Sequence, residues 1–390
     1  MATNTDIPQG YKATALGIIP QEWEVKTLGN IAEINPSKGK ITSKVVTFLA
    51  MSDISEQGGV INENILPIDS IKPGLTPFRK GDVIIAKITP CFENGKGALL
   101  DKITEDDGFG STEFHVIRCQ QDNKFVYYHT QSYAFRKRLE SQMTGSAGQK
   151  RVPADSVAAY KIAVPPLAEQ RKIAEVLGVW DEAIEKQARL IEKLALRKRA
   201  LMQRLLSAKL RLPGFSEPWK KVKLGDVAEL YQPQTIQSED LSQTGYPVYG
   251  ANGLIGYYNN YNHEYPQVVI TCRGSSCGTV NFTPGKCWIT GNAMVLNVDN
   301  NRDVNKSFFY YLISNSSFVN LISGSGQPQI VRQPLLKFEL RIPPLKEQTA
   351  IAEVLTAADR EIELAKEKLE RLRRQKRGLM QQLLTGKKRI

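Results

Sequence analysis

The chain has 390 residues, 41% hydrophobic and 24% charged, and no apolar run approaches the roughly 18 to 20 residues of a membrane span. That length suits two or more domains, and the opening MATNTDIPQG lacks the basic and apolar regions of a secretory signal, so a cytoplasmic protein is expected. The net charge of +12 points to an acidic partner.

Residues 1–163 read as a first globular body. Its entry, EWEVKTLGNIAEI (22–34), leads to strand and turn signals such as GDVIIAKITP (81–90) and STEFHVIRC (111–119), punctuated by Gly, Asn and Pro. KFVYYHTQSYAFRKRLES (124–141) reads as a helix whose Tyr and Phe, three to four apart, form a core-facing stripe. GSAGQKRV (145–152) leads out of the body.

Residues 164–212 change character. Leu177, Ile184, Ile191, Leu194 and Leu201 follow the three-and-four rhythm of a coiled-coil seam. Pro166 and Glu169 mark the helix start, and Leu-Pro-Gly at 212–214 its end. A second body then spans 213–341. Its entry EPWKKVKLGDVAEL (217–230) echoes the first, with Trp219 against Trp23 and Leu224-Gly225 against Leu28-Gly29. YPQVVITCRG (265–274) and NAMVLNV (292–298) read as strands, SFFYYLISNSSFVNLI (307–322) as a helix, and SGSGQPQI (323–330) as the exit.

Residues 342–390 repeat the first helix. PPLKEQTAIAEVL matches PPLAEQRKIAEVL at ten of thirteen positions, at an offset of 178. Its seam is Leu355, Ile362, Leu369, Leu372 and Leu379, begun by Pro344 with Glu347 and ended by Gly386. Lys198 and Lys376 share one seam slot, where they either fix register or reach past the seam to solvent, and Gln187 is matched by Ala365. About 40 residues at 1.5 Å each make rods of roughly 60 Å. The second body joins the end of one rod to the start of the other, and a body about 35 Å across cannot span a full rod, so the rods should be antiparallel. Each repeat carries +5, together +10 of the chain's +12.

Signs of catalysis are missing from the sequence: there is no dinucleotide fingerprint, Walker A loop, HExxH, Gly-x-Ser-x-Gly elbow or adenine-methyltransferase tetrapeptide. His115, His129 and His263 stand apart from any catalytic constellation. Cys91, Cys119, Cys272, Cys277 and Cys287 suggest reduced thiols, and no fourth Cys or close His completes a tetrahedral metal set around the last three. Two unlike bodies on basic rods of roughly 60 Å, longer than the 34 to 36 Å turn of B-DNA, suit a split, asymmetric duplex site.

Variable body, PPLxEQ-headed helix, variable body, PPLxEQ-headed helix: this order resembles the DNA-specificity subunit of type I restriction-modification enzymes over essentially the whole chain. ITPCFENGKGALL (88–100), GFGSTEFHVI (108–117), YPVYGANGLIGYY (246–258) and TCRGSSCGTV (271–280) resemble that family's target-recognition domains. The resemblance implies an α+β architecture of two tandem target-recognition domains, with the two helices paired as an antiparallel, pseudo-twofold coiled coil. It also implies a non-catalytic subunit, each domain reading half of a bipartite sequence and the helices measuring the spacer. Two methyltransferase subunits using S-adenosylmethionine and ATP- and magnesium-dependent restriction subunits would be the partners, so this chain itself would bind no cofactor and no membrane. A specificity subunit of another restriction-methylation system and a structural coiled-coil adaptor remain alternatives.

Phosphate contacts need Lys or Arg, and base readout needs Arg, Lys, Asn or Gln edges. The candidates for DNA contact are Arg79, Lys80, Lys87, Asn94, Lys96, Lys150 and Arg151 in the first body. In the second they are Asn252, Tyr257, Arg273, Ser275, Ser276, Gln327 and Arg332. For each, an ordinary solvated side chain is the alternative, and Gln149 and Gln327 recur in a way that suits the shared frame. A charge of only +2 outside the helices suggests that tight DNA binding needs the methyltransferase partners.

Overall fold

The computed structural model describes residues 7–39, 41–146, 148–250, 253–324 and 326–390. The chain divides into two units, Met1–Lys186 with Leu369–Ile390, and Gln187–Lys368, so each long helix contributes to both.

In the first unit the central sheet runs Ala32–Ile34, Phe114–Cys119, Val83–Ala86, Gly97–Leu99, all neighbours antiparallel. Val83–Ala86 is buried along its whole length, as a β-branched run in a central strand should be. A second four-stranded sheet, ordered Asn64–Pro67, Val45–Leu49, Asp107–Gly110, Thr76–Arg79, is mixed. The entry strand Glu24–Thr27 pairs with the exit strand Lys161–Val164, closing the body at its root.

The second unit repeats this plan with different residues. Its central sheet is Glu229–Tyr231, Ala293–Asn297, Val268–Thr271, Val280–Phe282, strand for strand the same order. The second sheet has three strands, Gly253–Tyr258, Tyr246–Gly250 and Trp288–Ile289. Lys220–Lys223 pairs with Glu339–Ile342 at the root.

The long helices run Leu167–Leu205 and Leu345–Leu384. The first ends well before Leu-Pro-Gly, contrary to the expectation from sequence, because Ala208 adopts a left-handed φ of 58° and Leu210 N–H turns back to the Arg204 carbonyl. Gly386, φ 67°, makes the same stop, with Lys388 N–H donating to Gln382. Within each body the expected helix is also shorter than its pattern. Ser132, extended at ψ 145°, splits the first into Asn123–Gln131 and Tyr133–Glu140, its hydroxyl accepting from Phe135 N–H. The second is Lys306–Ser314, followed by a 3-10 turn at Val319–Leu321.

Both pairings of the helices are antiparallel. In the first unit the head of one helix (Ile173, Ala174, Leu177) and the tail of the other (Met380, Leu383, Leu384) share the body's core with Trp23, Phe125 and Tyr128. In the second, Leu205 and Leu206 meet Ile351, Ala352 and Leu355 around Phe308 and Tyr311. The seam residues Leu177, Leu194, Leu355 and Leu369 are buried; Ile184, Ile191, Leu201, Ile362, Leu372 and Leu379 are half-buried. Gln187 donates from its side-chain amide to the Ala365 carbonyl at 3.0 Å, so two positions related by the repeat offset meet each other.

Candidate nucleic-acid interface

Each body carries a loop that leaves the central strand and is pinned against the exit segment. In the first body Ile88 bridges to Arg151, and Thr144 bridges to Arg151 on its other side. Thr89 N–H donates to the Lys150 carbonyl and Val152 N–H to that of Lys87. In the second body Arg273 and Ser323 bridge to Gln329 in the same way, and Gly274 N–H donates to Pro328. One platform is therefore built twice, with Lys87, Asn94, Lys96, Lys150 and Arg151 on the first copy and Arg273, Ser275, Ser276 and Gln327 on the second.

The side chains on these platforms differ in how free they are. Lys150, Arg273, Ser275 and Gln327 are exposed, and Ser276 and Lys87 are half-buried. Asn94 is exposed and donates to Glu56 at 2.9 Å, while the Lys96 ammonium turns inward to the Met51 carbonyl. Arg151 grips Glu113 with Nε and Nη2, which holds that carboxyl below its ordinary range, with Lys87 adding to the effect. Among the described residues, no group of three or more His, Cys, Asp or Glu could hold a metal ion, and all five cysteines are free thiols.

The remaining candidates lie elsewhere. Arg79 and Lys80 sit at the edge of the first body's second sheet, where Arg79 faces Asp107 at 3.4 Å. Tyr257 is half-buried on the second body's three-stranded sheet. Arg332 donates from Nε to the Leu230 carbonyl. Asn252 lies outside the described residues.

Behind the first platform sits a residue that the sequence does not advertise. Arg136 is buried, donates to the carbonyls of Thr130, Phe92 and Gly95 at 2.8 to 3.2 Å, and lies 4.8 Å from the Phe92 ring centroid. Burial brings its pKa down to about 10, and it has no carboxylate partner among the described residues. Nothing in the sequence sets Arg136 apart from Lys137 and Arg138 beside it, and only the fold reveals that Arg136 shapes the loop bearing Asn94. The second platform is backed instead by apolar atoms of Phe318, Ile322 and Ile330 around Gly278. His115 ties the first platform to its sheet, Nε2 donating to the Val152 carbonyl at 2.8 Å and Nδ1 accepting from Asn35; burial lowers its pKa.

The root of each body is secured by a buried glutamate. Glu169 accepts from Trp23 Nε1 at 3.0 Å and from Arg389 Nε and Nη2. Its counterpart Glu347, 1% exposed, is held by Arg211 at 2.6 and 2.8 Å, while Trp219 lies beneath the Arg211 guanidinium with its indole N–H unpaired among the described residues. Gln170 and Gln348 both donate to the carbonyl of the first proline of their own Pro-Pro pair. The repeated PPLxEQ text thus supplies the Glu and Gln that fasten the helix heads.

A family model described as type I restriction modification DNA specificity domain matches the chain twice, at residues 20–195 and 216–374. A putative type I restriction enzyme MjaX specificity subunit from Methanocaldococcus jannaschii is 25% identical over 98% of this chain and 97% of its own length. The type I restriction enzyme EcoAI specificity subunit of Escherichia coli is 42% identical over 160 residues, 40% of this chain; the match spans only 27% of that relative. The fold is similar to that of a solved chain of a type I restriction-modification assembly (TM-score 0.62, 21% identity, 94% of this chain and 99% of that one). It is also similar to the S subunit of a type I system from M. genitalium (TM-score 0.60, 17% identity, 98% of each).

Proposed function

We propose that this chain, which belongs to the type I restriction modification DNA specificity family, is a non-catalytic specificity subunit that reads a bipartite, asymmetric duplex target, one half through each body. The observation that carries this reading is the platform built twice on the same sheet order and furnished with different side chains. Lys150 and Arg273, exposed on it, suit phosphate contact, and Asn94 suits a base edge. The frame of paired helices, charged +5 in each repeat, measures the spacer and docks two methyltransferase subunits, which restriction subunits then join. S-adenosylmethionine, ATP and magnesium belong to those partners, and the complex works in the cytoplasm.

Methylome sequencing of cells with the partner genes, with and without this gene, tests the reading. It predicts that one bipartite adenine-methylated motif disappears when the gene is removed; an unchanged methylome in an expressed, partnered system would refute it. A gel shift sharpens it: with so little net charge outside the helices, tight binding requires the methyltransferase, and equal affinity without it would sink that part.

A further inference from the structure

One side-chain triad joins each body to its helix pair. In the first unit the Tyr128 hydroxyl donates to Asp181 Oδ2 at 2.8 Å, and Lys376 Nζ donates to Asp181 Oδ1 at 2.5 Å. The same ammonium lies 5.1 Å from the Tyr128 ring centroid, closing the triangle. In the second unit Tyr311 donates to Asp359 at 2.7 Å, Lys198 donates to Asp359 at 2.5 Å, and Lys198 lies 5.3 Å from the Tyr311 ring. Asp181 with Asp359, and Lys198 with Lys376, are related by the repeat offset of 178, whereas the tyrosines stand 183 apart. The same geometry is thus reached from bodies of different internal spacing.

Each triad takes one group from the body, one from the head of one long helix and one from the tail of the other. The apolar contacts around it are non-directional and tolerate a small slide or tilt. Hydrogen bonds to a charged carboxylate are not: they weaken steeply with angle and fix a distance. A tilt of the body breaks the Tyr–Asp bond and the cation–ring contact together, and a slip of one helix along the other breaks Lys–Asp. The two carboxylates are 42% and 41% exposed, so the triads add little to bulk stability, which leaves geometry as their contribution.

Building on the specificity reading above, we propose that the Tyr128–Asp181–Lys376 and Tyr311–Asp359–Lys198 triads are positioning groups. They set the angle of each body on its own helix pair, and with it the strictness with which the spacing of the two half-sites is read. They touch no DNA and choose no base. The side chains that select bases stand on loops outside the triads, so spacing and base choice are separable.

The assembled methyltransferase, wild type or variant, supplied with S-adenosylmethionine, tests this on duplexes carrying the motif that the wild-type complex modifies. The duplexes have the native spacer or a spacer longer or shorter by one base pair. Tyr128→Phe with Tyr311→Phe removes only two hydroxyls, and Asp181→Asn with Asp359→Asn is the second, stronger variant. Both should raise off-spacing relative to native methylation, the Asn pair by about tenfold, which corresponds to ~1.4 kcal/mol of lost discrimination, while the bases preferred in each half-site stay the same. If methylation at every spacing falls in proportion, or the spacing ratio stays at the wild-type value in folded variants, the triads are merely structural and the proposal is overturned. A wild-type complex that modifies no bipartite motif would instead refute the specificity reading itself.

Discussion

The two platforms and the two helix roots make an instructive contrast. At the roots, Glu169 and Glu347, Gln170 and Gln348, Asp181 and Asp359 perform the same task with the same residue types. At the platforms the backbone bridges agree and the side chains do not: a buried guanidinium backs one loop and apolar carbons back the other. A surface that must hold shape tolerates little change of residue, whereas one that must discriminate needs only its backbone preserved. Predictions follow from breaking each side of that contrast in turn.

The largest effect is expected at the roots. Arg211→Met leaves Glu347, 1% exposed, without its only charged partner among the described residues, and should cost ~3–5 kcal/mol in denaturant unfolding, with no change in the methylated motif if the protein is rescued at low temperature. Arg389→Met should cost clearly less, because Arg389 is 40% exposed and Glu169 keeps the Trp23 indole. At the platform, Arg136→Lys withdraws a fork that serves three carbonyls and should destabilise by ~1–3 kcal/mol. It should also degrade reading of the first half-site alone, as methylome sequencing would record.

Acid should separate the two bodies next. His129 is buried with its pKa lowered to about 3 by desolvation, and desolvation lowers His115 in the same body as well. A group whose folded pKa lies below its unfolded value of about 6.5 favours folding above that pH, and the benefit is lost as pH falls toward the folded pKa. Hydrogen exchange should therefore show the first body loosening between pH 6.5 and 4 before the second, where His263 is lowered by its burial but keeps Tyr231 at 2.9 Å. His129→Leu should flatten that limb. The smallest effect is at the helix stops: Ala208→Gly should gain ~1 kcal/mol, since it gives Ala208 the freedom that Gly386 has at the same left-handed position.

Much of the frame was legible in the sequence. Heptad spacing marked both helices, and the repeat offset paired their heads; the connectivity argument then gave the antiparallel direction that Arg211–Glu347 and Lys376–Asp181 display. The stop at Ala208 was hidden, because alanine carries no signal for a left-handed φ while Leu-Pro-Gly downstream carries a strong one. Tyr128 and Tyr311 read as core stripe, and their rings are indeed in the core, but the hydroxyls reach out to Asp181 and Asp359. The recurrence of those aspartates at the same offset as Lys198 and Lys376 was the available clue. Arg136 offered none, since only the fold brings the Phe92 carbonyl, on a loop, and the Thr130 carbonyl, at the end of the helix Asn123–Gln131, to one guanidinium.

The central claim is that the repeated text is frame and the unrepeated text is specificity. Exchanging residues 213–341 for the second body of another family member, with both helices left in place, tests it most directly by methylome sequencing of the partnered complex. The account predicts a new methylated motif with one half-site replaced and the other half-site intact. A motif altered in both halves, or in neither, would contradict it.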